Sequence, residues 1–313
     1  MPETQHIINI SGGKDSAACY LLALKKGVKF RAVFADTGNE HDYTYEFLEY
    51  LPKATGGPEI EIIRADFSEK IKKKRKTVRE KWKKDGVPAQ QIKKALDLLK
   101  PTGNPFLDLC LWKGRFPSAR ARFCTEELKV FPLTFQVFFP ALKNGRVLSW
   151  QGVRADESLA RSKLPPFNRD DTGVYIWRPI LNWTADQVFD LHHEMGVEPN
   201  KLYKLGFARV GCMPCIMARK MDVREMAKRF PEHVERIFEW ETLVSGASKR
   251  GRSTFFSSDK MPCASNYDPE KDGYKGIDEV VRWAETDRGG RQLNLFTSSE
   301  ELPSCASVYR LCE

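Results

Sequence analysis

Residues 7–18 read I-I-N-I-S-G-G-K-D-S-A-A, and this stretch decides the fold of the N-terminal part of the chain. Residues 6–10 form an apolar, β-branched run that predicts a buried strand, and residues 16–24 continue as an apolar, helix-compatible segment. Gly12 and Gly13 between them allow a tight turn. A strand, a turn of small residues and a helix start together present backbone N–H groups and the positive helix end to an anion. The stretch therefore predicts a phosphate-binding loop.

The side chains of this loop (residues 11–16, the phosphate loop) also suit a phosphate ligand. Lys14 adds a mobile positive charge, while Ser11 and Ser16 add hydroxyl donors. The sequence lacks the pattern G-x-x-x-x-G-K-[ST] at this point, so the loop is not a Walker A loop.

Apolar runs alternate with helical patterns along the first two thirds of the chain, which predicts an α/β fold with a parallel sheet and helices on both faces. Strands are predicted at residues 6–11, 30–35, 60–64, 146–151 and 174–177. Helices are predicted at residues 42–51 and 186–195, and a charged, helix-prone stretch covers residues 68–99 with an interruption at 86–88. Residues 102–117, rich in Gly, Pro and aromatic residues, are predicted to form an ordered loop.

The alternation fades after Gly206, where Gly, Ser, Cys and Pro become frequent. Residues 1–205 are therefore predicted to form a nucleotide-binding domain that carries a helical, basic insertion at 68–120. Residues 206–313 are predicted to form a smaller C-terminal region that contains cysteines.

Polar motifs follow three of the predicted strands. In open parallel sheets ligands bind beyond the carboxyl ends of the strands, so these motifs are expected to share one site. Beside the phosphate loop, the motifs supply Asp36, Thr37 and Gly38 after the second strand, and Gly152 and Arg154, followed by Arg161, after the fourth. The two arginines suit phosphate or sulfate because their planar guanidinium groups bind two oxygens at once. Asp15 and Asp36 are candidate Mg²⁺ ligands, since Mg²⁺ usually takes one or two carboxylates together with phosphate oxygens.

The composition sets the class of protein. Apolar residues make up 41% of the 313 residues, enough for a sizeable core, and no apolar run approaches the ~20 residues that span a bilayer. Because the first strand begins almost at once, a signal peptide has no room, and a cytoplasmic protein that makes no membrane contact is expected. The formal net charge of +9 makes a polyanionic partner plausible. Much of the excess lies between Lys70 and Lys84, which is either a solvated basic helix or a nucleic-acid-binding face.

Eight cysteines in a cytoplasmic chain are expected to be reduced, buried or metal-bound. Cys19 and Cys110 lie in apolar surroundings and are predicted core residues. The Cys212-x-x-Cys215 spacing, with a Pro inside it, is typical of a metal-binding turn. His192 and His193 are predicted to be polar surface residues, because adjacent helical residues point to different faces.

Several motifs in a fixed order resemble a known family. The phosphate loop S-G-G-K-D-S resembles the PP-loop of the ATP pyrophosphatases, which cleave ATP between its α- and β-phosphates. It is followed by R-F-C-T-E-E-L-K-V-F-P from Arg122, G-V-R-A-D-E-S from Gly152, R-P-I-L-N-W-T from Arg178 and L-Y-K-L-G-F-A-R-V-G-C-M-P-C from Leu202. Together they resemble the phosphoadenosine phosphosulfate (PAPS) reductase family of the adenine nucleotide α-hydrolases.

The resemblance implies a Rossmann-like sheet with an adenine nucleotide, either ATP with Mg²⁺ or a sulfonucleotide (PAPS or its unphosphorylated relative APS), bound across the strand ends. The nucleotide-binding residues are then Ser11, Gly12, Gly13, Lys14, Asp15, Ser16, Asp36, Thr37, Gly38, Gly152, Arg154 and Arg161. In iron–sulfur members of the family a cysteine pair near the Cys124 position joins a C-x-x-C motif to hold a [4Fe–4S] cluster. This chain has Cys124, Cys212 and Cys215 but no cysteine adjacent to Cys124, so the fourth ligand is unassigned, with Cys305 and Cys312 ahead of Cys263. Thiolates also suit zinc, and a site without metal is the third alternative.

Three functions are compatible with the sequence. In ATP-dependent sulfur transfer, Lys14, Asp15 and Arg154 act on ATP, and a sulfur nucleophile held at the cluster or a tail cysteine displaces AMP from an acceptor. That acceptor could be a nucleic acid bound between Lys70 and Lys84, with a partner protein as sulfur donor. In sulfonucleotide reduction, a tail cysteine such as Cys312 attacks the sulfur of PAPS or APS, and a thiol reductant protein releases sulfite. The third function is nucleotide binding without catalysis.

Overall fold

Six strands form one sheet in the computed structural model, which describes residues 4–256 and 276–286. The strands are β1 (Thr4–Ile10), β2 (Phe30–Asp36), β3 (Ile60–Arg64), β4 (Arg146–Gln151), β5 (Phe167–Arg169) and β6 (Tyr175–Trp177). Their order is β3-β2-β1-β4-β6-β5, and every neighbouring pair is parallel except β5 with β6. β1 is central, with Ile8 opposite Ala32 of β2 and Trp150 of β4. The predicted α/β fold with a parallel sheet is confirmed, and the short antiparallel β5 is an element that the sequence pattern did not indicate.

Helices connect and cover the strands. They are α1 (Lys14–Lys25), α2 (Asp42–Thr55), α3 (Ser68–Lys81), α4 (Ala89–Leu98), α5 (Pro105–Lys113), α6 (Phe123–Thr125), α7 (Phe139–Leu142), α8 (Leu159–Ser162), α9 (Ala185–Glu194), α10 (Lys220–Arg229), α11 (Pro231–Ala247) and α12 (Ile277–Glu285). Two π-helical segments, Glu126–Val130 and Leu133–Phe138, lie between α6 and α7. Predicted helix 42–51 is longer in the structure, because Pro52 is accommodated within α2.

The two faces of the sheet pack against different helices, as predicted. On one face, Ile8 and Trp150 lie in a core with residues of α1, α2 and α9. On the other face, Ile7 and Val33 pack against Val137 and Ala141 of the helical stretch 123–142. Side chains alternate between the two faces along a strand, so each central strand is buried on both sides.

A second core lies outside the sheet. It joins apolar residues of α3, α4 and α5 to residues of α11 and α12, including Trp82, Phe106, Trp240 and Val280. The helices of the predicted insertion 68–120 therefore share a core with residues beyond Gly206. The predicted division of the chain at 205/206 stays a prediction.

The predicted loop at 102–117 is wrong for its central part, which forms α5. Asn104 caps this helix by accepting a hydrogen bond from the Leu107 N–H at 3.0 Å, and Pro105 occupies the first turn. Gly114 ends the helix in the left-handed conformation, with φ at +67°. Asn-Pro before an apolar run and Gly after it are ordinary helix boundaries. The density of Gly, Pro and aromatic residues obscured that signal.

Asn104 also links α5 to the sheet, because its amide donates a hydrogen bond to the Gly38 carbonyl at 2.6 Å. We expect Asn104→Ala to lower the free energy of unfolding by about 1–2 kcal/mol, since it loses both the cap and this link. Asn104→Asp keeps the cap acceptor and loses the donor, so it should cost less than Asn104→Ala. Urea unfolding monitored by circular dichroism measures both values. Equal stability of Asn104→Ala and the unsubstituted chain would show that neither contact stabilises the fold.

Candidate active site

The phosphate loop joins the end of β1 to the start of α1 and is tightly enclosed. Gly12 has φ at +76°, and a Cβ there would lie 2.4 Å from Cγ2 of Thr44. Gly13 precedes the first residue of α1, and a Cβ there would lie 3.2 Å from the Tyr203 hydroxyl. Only glycine fits the first position, because it combines a left-handed backbone with a close neighbour.

Ser16 closes the loop on itself. Its hydroxyl donates to the Gly13 carbonyl at 2.9 Å and accepts from the Ser11 N–H at 3.0 Å. The Ser11 hydroxyl lies 3.0 Å from the same oxygen. The two predicted serines thus order the loop in this structure.

Lys14, Asp15 and Arg154 form one ion cluster at the start of α1. The Lys14 ammonium lies 3.0 Å from Oδ2 of Asp15, and Nε of Arg154 lies 2.6 Å from Oδ1 of the same carboxylate. Arg154 also pairs with Asp156. Both cationic side chains are buried. Burial lowers the pKa of Lys14, and Asp15 opposes that shift.

The motif after β4 touches the start of α1 directly. A Cβ on Gly152 would lie 2.5 Å from the Asp15 carbonyl oxygen, so only a glycine lets the two segments meet. Arg161 pairs with Glu157 and lies within electrostatic range of Asp15 and Arg154. Burial, followed by the charge of Arg209, lowers the pKa of Arg161. The first and third predicted motifs therefore form one site.

Three residues that the sequence analysis did not assign to the site hold the phosphate loop from the other side. The Tyr203 hydroxyl accepts from the Lys14 N–H at 3.0 Å, and the Asn200 amide donates to the Gly12 carbonyl at 3.3 Å. Nε2 of His192 lies 3.0 Å from the Lys14 carbonyl. The prediction that His192 is a polar surface residue is wrong, because this side chain is buried. Its position four residues after Val188, on the apolar face of α9, is the signal that could have shown this.

Asp36, at the end of β2, has both carboxylate oxygens engaged. One accepts from the Gly38 N–H and the Tyr45 hydroxyl, each at 2.8 Å, and the other lies 2.7 Å from Nε of Arg64. Burial opposes ionisation of this carboxylate, but the three donors hold its pKa below the ordinary value. Asp36 thus orders the loop that follows β2, and its role as a Mg²⁺ ligand stays a prediction.

The loop after β2 binds the cysteine-containing turn. The Met213 N–H donates to the Asn39 carbonyl at 2.7 Å, and the Asn39 amide donates to the Pro214 carbonyl at 2.9 Å. Glu40 pairs with Cys212 in an antiparallel bridge. Thr37 Oγ1 lies 3.5 Å from the Cys212 sulfur, so the predicted Thr37 meets a predicted metal ligand.

The three cysteines predicted as ligands lie close enough to one another and to Lys129 to interact electrostatically. Cys212, Glu40, Cys215 and Cys124 together raise the pKa of Lys129 against the effect of burial, and Cys212 has the largest effect. Burial raises the pKa of Cys212 to about 12, and Lys129 opposes that shift. Lys129 lies in the R-F-C-T-E-E-L-K-V-F-P motif, five residues after Cys124, and this spacing did not indicate that the two residues interact.

Thiol sulfur is the donor that an iron–sulfur cluster or zinc requires. Within residues 4–256 and 276–286, however, no group of three or more His, Cys, Asp or Glu side chains is arranged to hold a metal ion. Cys263, Cys305 and Cys312 lie outside the described residues. The described part of the chain thus supplies three neighbouring thiols and does not fit a complete metal site.

Two further predictions concern the rest of the described chain. Cys19 and Cys110 are fully buried, which confirms them as core residues. None of the helices in the described ranges has the length and apolar character needed to cross a membrane.

Comparison with known proteins identifies the family. The sequence model of the phosphoadenosine phosphosulfate reductase domain matches residues 5–218. The chain belongs to the PAPS reductase family. The match extends from β1 through the cysteine-containing turn, so the phosphate loop and the three neighbouring thiols all lie in the family domain.

Relatives of different distance share this domain. An uncharacterized 37.8 kDa protein in the gpa 5′ region of Escherichia phage 186 is 47% identical over 326 residues, which cover 99% of this chain and 97% of that protein. A PAPS reductase of Buchnera aphidicola (subspecies Acyrthosiphon pisum) is 26% identical over 212 residues, 67% of this chain and 70% of that protein. The crystal structure of PAPS reductase from Candida auris in its phosphate complex is 20% identical, with a TM-score of 0.41 over 69% of this chain and 83% of that chain.

The packing around Gly12 generates a prediction for nucleotide binding. We expect Gly12→Ala to reduce affinity for ATP about tenfold or more, because the Cβ forces Thr44 and the loop apart. Gly27→Ala is the matched control, since φ there is +63° but nothing lies within 4 Å of the added Cβ. It should lower the free energy of unfolding by roughly 1–2 kcal/mol, because alanine is strained in the left-handed conformation, and leave ATP affinity unchanged. Isothermal titration with ATP measures both, and unchanged affinity in Gly12→Ala would contradict the assigned loop.

His233 and Arg236 anchor the cysteine-containing turn. The Arg236 guanidinium donates to the Met213 carbonyl at 2.6 Å and to Nδ1 of His233 at 2.7 Å. His233 also stacks on His41, with ring centroids 5.1 Å apart. Burial, followed by the charge of Arg236, lowers the pKa of His233 from 6.5 to about 4.

His233 is therefore neutral in the folded chain, whereas it takes up a proton near pH 6.5 when unfolded. The contribution of neutral His233 to the free energy of unfolding is fully present above that pH. It should fall by on the order of 3 kcal/mol as the pH drops toward 4. In His233→Gln, which keeps an acceptor for Arg236, this part of the pH dependence should be missing. His193→Gln, at an exposed position, is the control. Identical urea-unfolding profiles of His233→Gln and the control between those pH values would refute the assignment.

Proposed function

We propose that the chain binds Mg·ATP at the phosphate loop, cleaves it to AMP and pyrophosphate, and uses the activated intermediate for sulfur transfer. The observation that carries this proposal is the ion cluster of Lys14, Asp15 and Arg154, with both cations buried at the start of α1. A loop that only binds nucleotide has no need of a desolvated lysine held in place by a carboxylate. Membership of the PAPS reductase family supports a nucleotide at this site.

Each group of the cluster has a role in the proposed reaction. An acceptor oxygen attacks the α-phosphorus, the bond to the bridging oxygen of the β-phosphate breaks, and pyrophosphate leaves with that electron pair. Lys14 and the N–H groups at the start of α1 stabilise the negative charge that develops on pyrophosphate. Arg154 binds phosphate oxygens through its guanidinium, and Asp15 holds both cations in position. Mg²⁺ would enter with ATP, with Asp15 the nearest carboxylate to the loop.

The position of the thiols supports the second half of the proposal. The turn with Cys212 is bonded to the loop after β2, and β2 is the neighbour of β1 in the sheet. A thiol site and a phosphate site therefore follow adjacent strands at the same edge. A sulfur nucleophile, supplied by a donor and received among these thiols, displaces AMP from the adenylated acceptor and forms the new bond to sulfur.

Sulfonucleotide reduction is the second candidate, and the similarity to a protein named PAPS reductase favours it. In this reaction Arg154 and Arg161 bind the phosphosulfate, and a thiolate such as Cys312 attacks its sulfur. A thiol reductant then releases sulfite and forms a disulfide. The complete Lys14–Asp15 pair argues against reduction, since the family resemblance implies that sulfonucleotide reductases usually carry a degenerate phosphate loop.

Replacing Lys14 by Ala tests the proposal. We expect the yield of AMP and pyrophosphate from α-labelled ATP, with Mg²⁺, a thiol and total cellular nucleic acid under anaerobic conditions, to fall by a factor of about 10²–10³. Lys25→Ala is the matched control at the other end of α1, where the lysine forms an exposed ion pair with Glu194. It should turn over ATP like the unsubstituted chain.

The same assay separates the alternatives. Undiminished pyrophosphate release in Lys14→Ala would remove the loop from the reaction. Absence of AMP from the unsubstituted chain, with thiol-dependent sulfite formed from PAPS and lost in Cys312→Ser, would establish reduction instead. ATP affinity without turnover of either nucleotide would establish a binding module.

A further inference from the structure

A cluster of cations and aromatic rings lies beside the Cys124 segment, separate from the phosphate loop. Lys70 of α3 and Lys113 of α5 both pair with Glu127, at 2.7 and 3.0 Å. Both ammonium groups also lie over the ring of Trp112, 4.3 and 4.0 Å from its centroid. One carboxylate thus pairs with two lysines, so these three side chains retain a net positive charge.

A surface cavity of about 560 Å³ adjoins this cluster at Lys113. Lys113, Arg115, Arg122 and Phe123 line it, together with one carboxylate, that of Glu126. The Lys113 ammonium and the Arg115 guanidinium lie 5.4 and 5.5 Å from the centroid of Phe123. The cavity therefore combines positive charge with a flat apolar surface, and its lining residues Phe123 and Thr125 flank Cys124 in the sequence.

Beyond Lys70, the cations continue along one flank of α3. Ten basic and two acidic residues lie between Ser68 and Lys84, against a net charge of +9 for the whole chain. Ile71, Val78 and Trp82 face the core, whereas Lys70, Lys73, Lys74 and Lys81 recur at the spacing that places side chains on a common flank. Lys73 and Lys81 are exposed, and neither pairs with a carboxylate of the described residues.

We propose that this flank and the cavity form one binding surface for single-stranded nucleic acid. The helical rise of 1.5 Å per residue separates Lys70 from Lys81 by about 16 Å, which is long enough to contact several successive phosphates of a strand. Proteins that bind single strands combine such a row of cations with aromatic rings on which bases stack. A duplex keeps its base faces stacked inside the helix, so it cannot present a base to Phe123 without unpairing.

The lining of the cavity also bears on the role of the bound strand. A base in the cavity contacts residues on either side of Cys124 in the sequence, and we assign the strand as the sulfur acceptor on that ground; this last statement rests on the proposed function. Binding of the strand does not depend on it, because no group of the phosphate loop lines the surface.

Fluorescence anisotropy of the full chain tests the surface. The probes are labelled RNA and DNA strands of one mixed sequence, about 20 nucleotides long so that they exceed the site sizes of single-strand binders, and the corresponding duplex. The variant Lys73→Glu/Lys81→Glu reverses two exposed charges on the flank. Lys26→Glu/Lys29→Glu makes the same change at exposed positions at the far end of the sheet and is the matched control. Thermal melting of each variant confirms that the fold is retained.

We expect the flank variant to bind single strands at least tenfold more weakly than the control. The slope of log affinity against log salt should decrease by about 1.4, the value for two lost phosphate contacts with a single strand. Phe123→Leu keeps an apolar side chain but loses the flat ring. It should weaken binding roughly fivefold or more with no change in the salt slope, because stacking is not electrostatic. Tighter binding of RNA or of DNA identifies the sugar of the natural strand.

Three results would overturn the proposal. Equal affinities of the flank variant and the control would make α3 a solvated basic helix. Competition by polyglutamate as effective as that by the oligonucleotide at equal charge would make the surface a general polyanion site. Duplex binding as tight as single-strand binding would exclude the role of the cavity.

The failure of this inference and that of the proposed function are distinguishable. Lys14→Ala should bind the strands like the unsubstituted chain. If the chain binds strands through the flank but forms no AMP, the proposed function fails and the surface stands. If the unsubstituted chain and the flank variant both form AMP, with the same dependence on nucleic acid, the surface is not the acceptor site.

Discussion

The Asp15 carboxylate is shared between two buried cations, and the geometry of the site depends on this sharing. Burying Lys14 and Arg154 without partners would cost several kcal/mol each, and the carboxylate between them offsets part of that cost for both. Because Lys14 begins α1 and Arg154 follows β4, the shared carboxylate also fixes these two segments against each other. Both cations thus lie at the N-terminal end of α1, where the helix dipole favours an anionic ligand.

Glycine is required where the segment after β4 packs against the start of α1. Asp15 reaches Arg154 only because Gly152 lets the backbone after β4 contact the first turn of α1. On the opposite side, the Tyr203 hydroxyl and the Asn200 amide bind the backbone of the phosphate loop. The loop is therefore held by chain segments that follow it by nearly 190 residues, at sequence separations of 189 and 188. Its geometry is a property of the whole family domain rather than of the six-residue motif.

Local patterns predicted the parts of the structure that local interactions determine. β1, β2 and β4 were predictable because buried parallel strands are rich in apolar residues, and the phosphate loop because it needs glycine at a left-handed position. β3, an edge strand without buried residues, was predictable from its β-branched Ile60, Ile62 and Ile63. α5 was missed because its residues resemble a loop in composition, although Asn104 and Gly114 mark its ends. β5 was missed because three residues with one antiparallel partner carry no periodic signal.

The parts of the site that could not be predicted depend on contacts between distant segments. Nothing in the sequence around Lys129 shows that three thiols lie within electrostatic range of it, since they belong to the 123–142 stretch and to the turn after Gly211. The contact of His192 with the loop could not be predicted either, because its partner is the Lys14 carbonyl and not a neighbour in α9. Motif order suggested that the cysteines belong to one site, but only the pairing of Glu40 with Cys212 shows which strand they adjoin.

That pairing has a consequence for chemistry at the sheet edge. The phosphate loop follows β1 and the thiols adjoin the loop after β2, and these strands are hydrogen-bonded neighbours. Strands in a sheet lie about 4.8 Å apart, so the two sites are separated by side chains rather than by a domain. In the function proposed above, an acceptor that receives AMP at one site would meet sulfur at the other by a small displacement, without dissociating. The pairing of Lys70 with Glu127 joins the cations of α3 to the segment that carries Cys124, so the proposed strand-binding surface would lead such an acceptor to the thiol side of this edge.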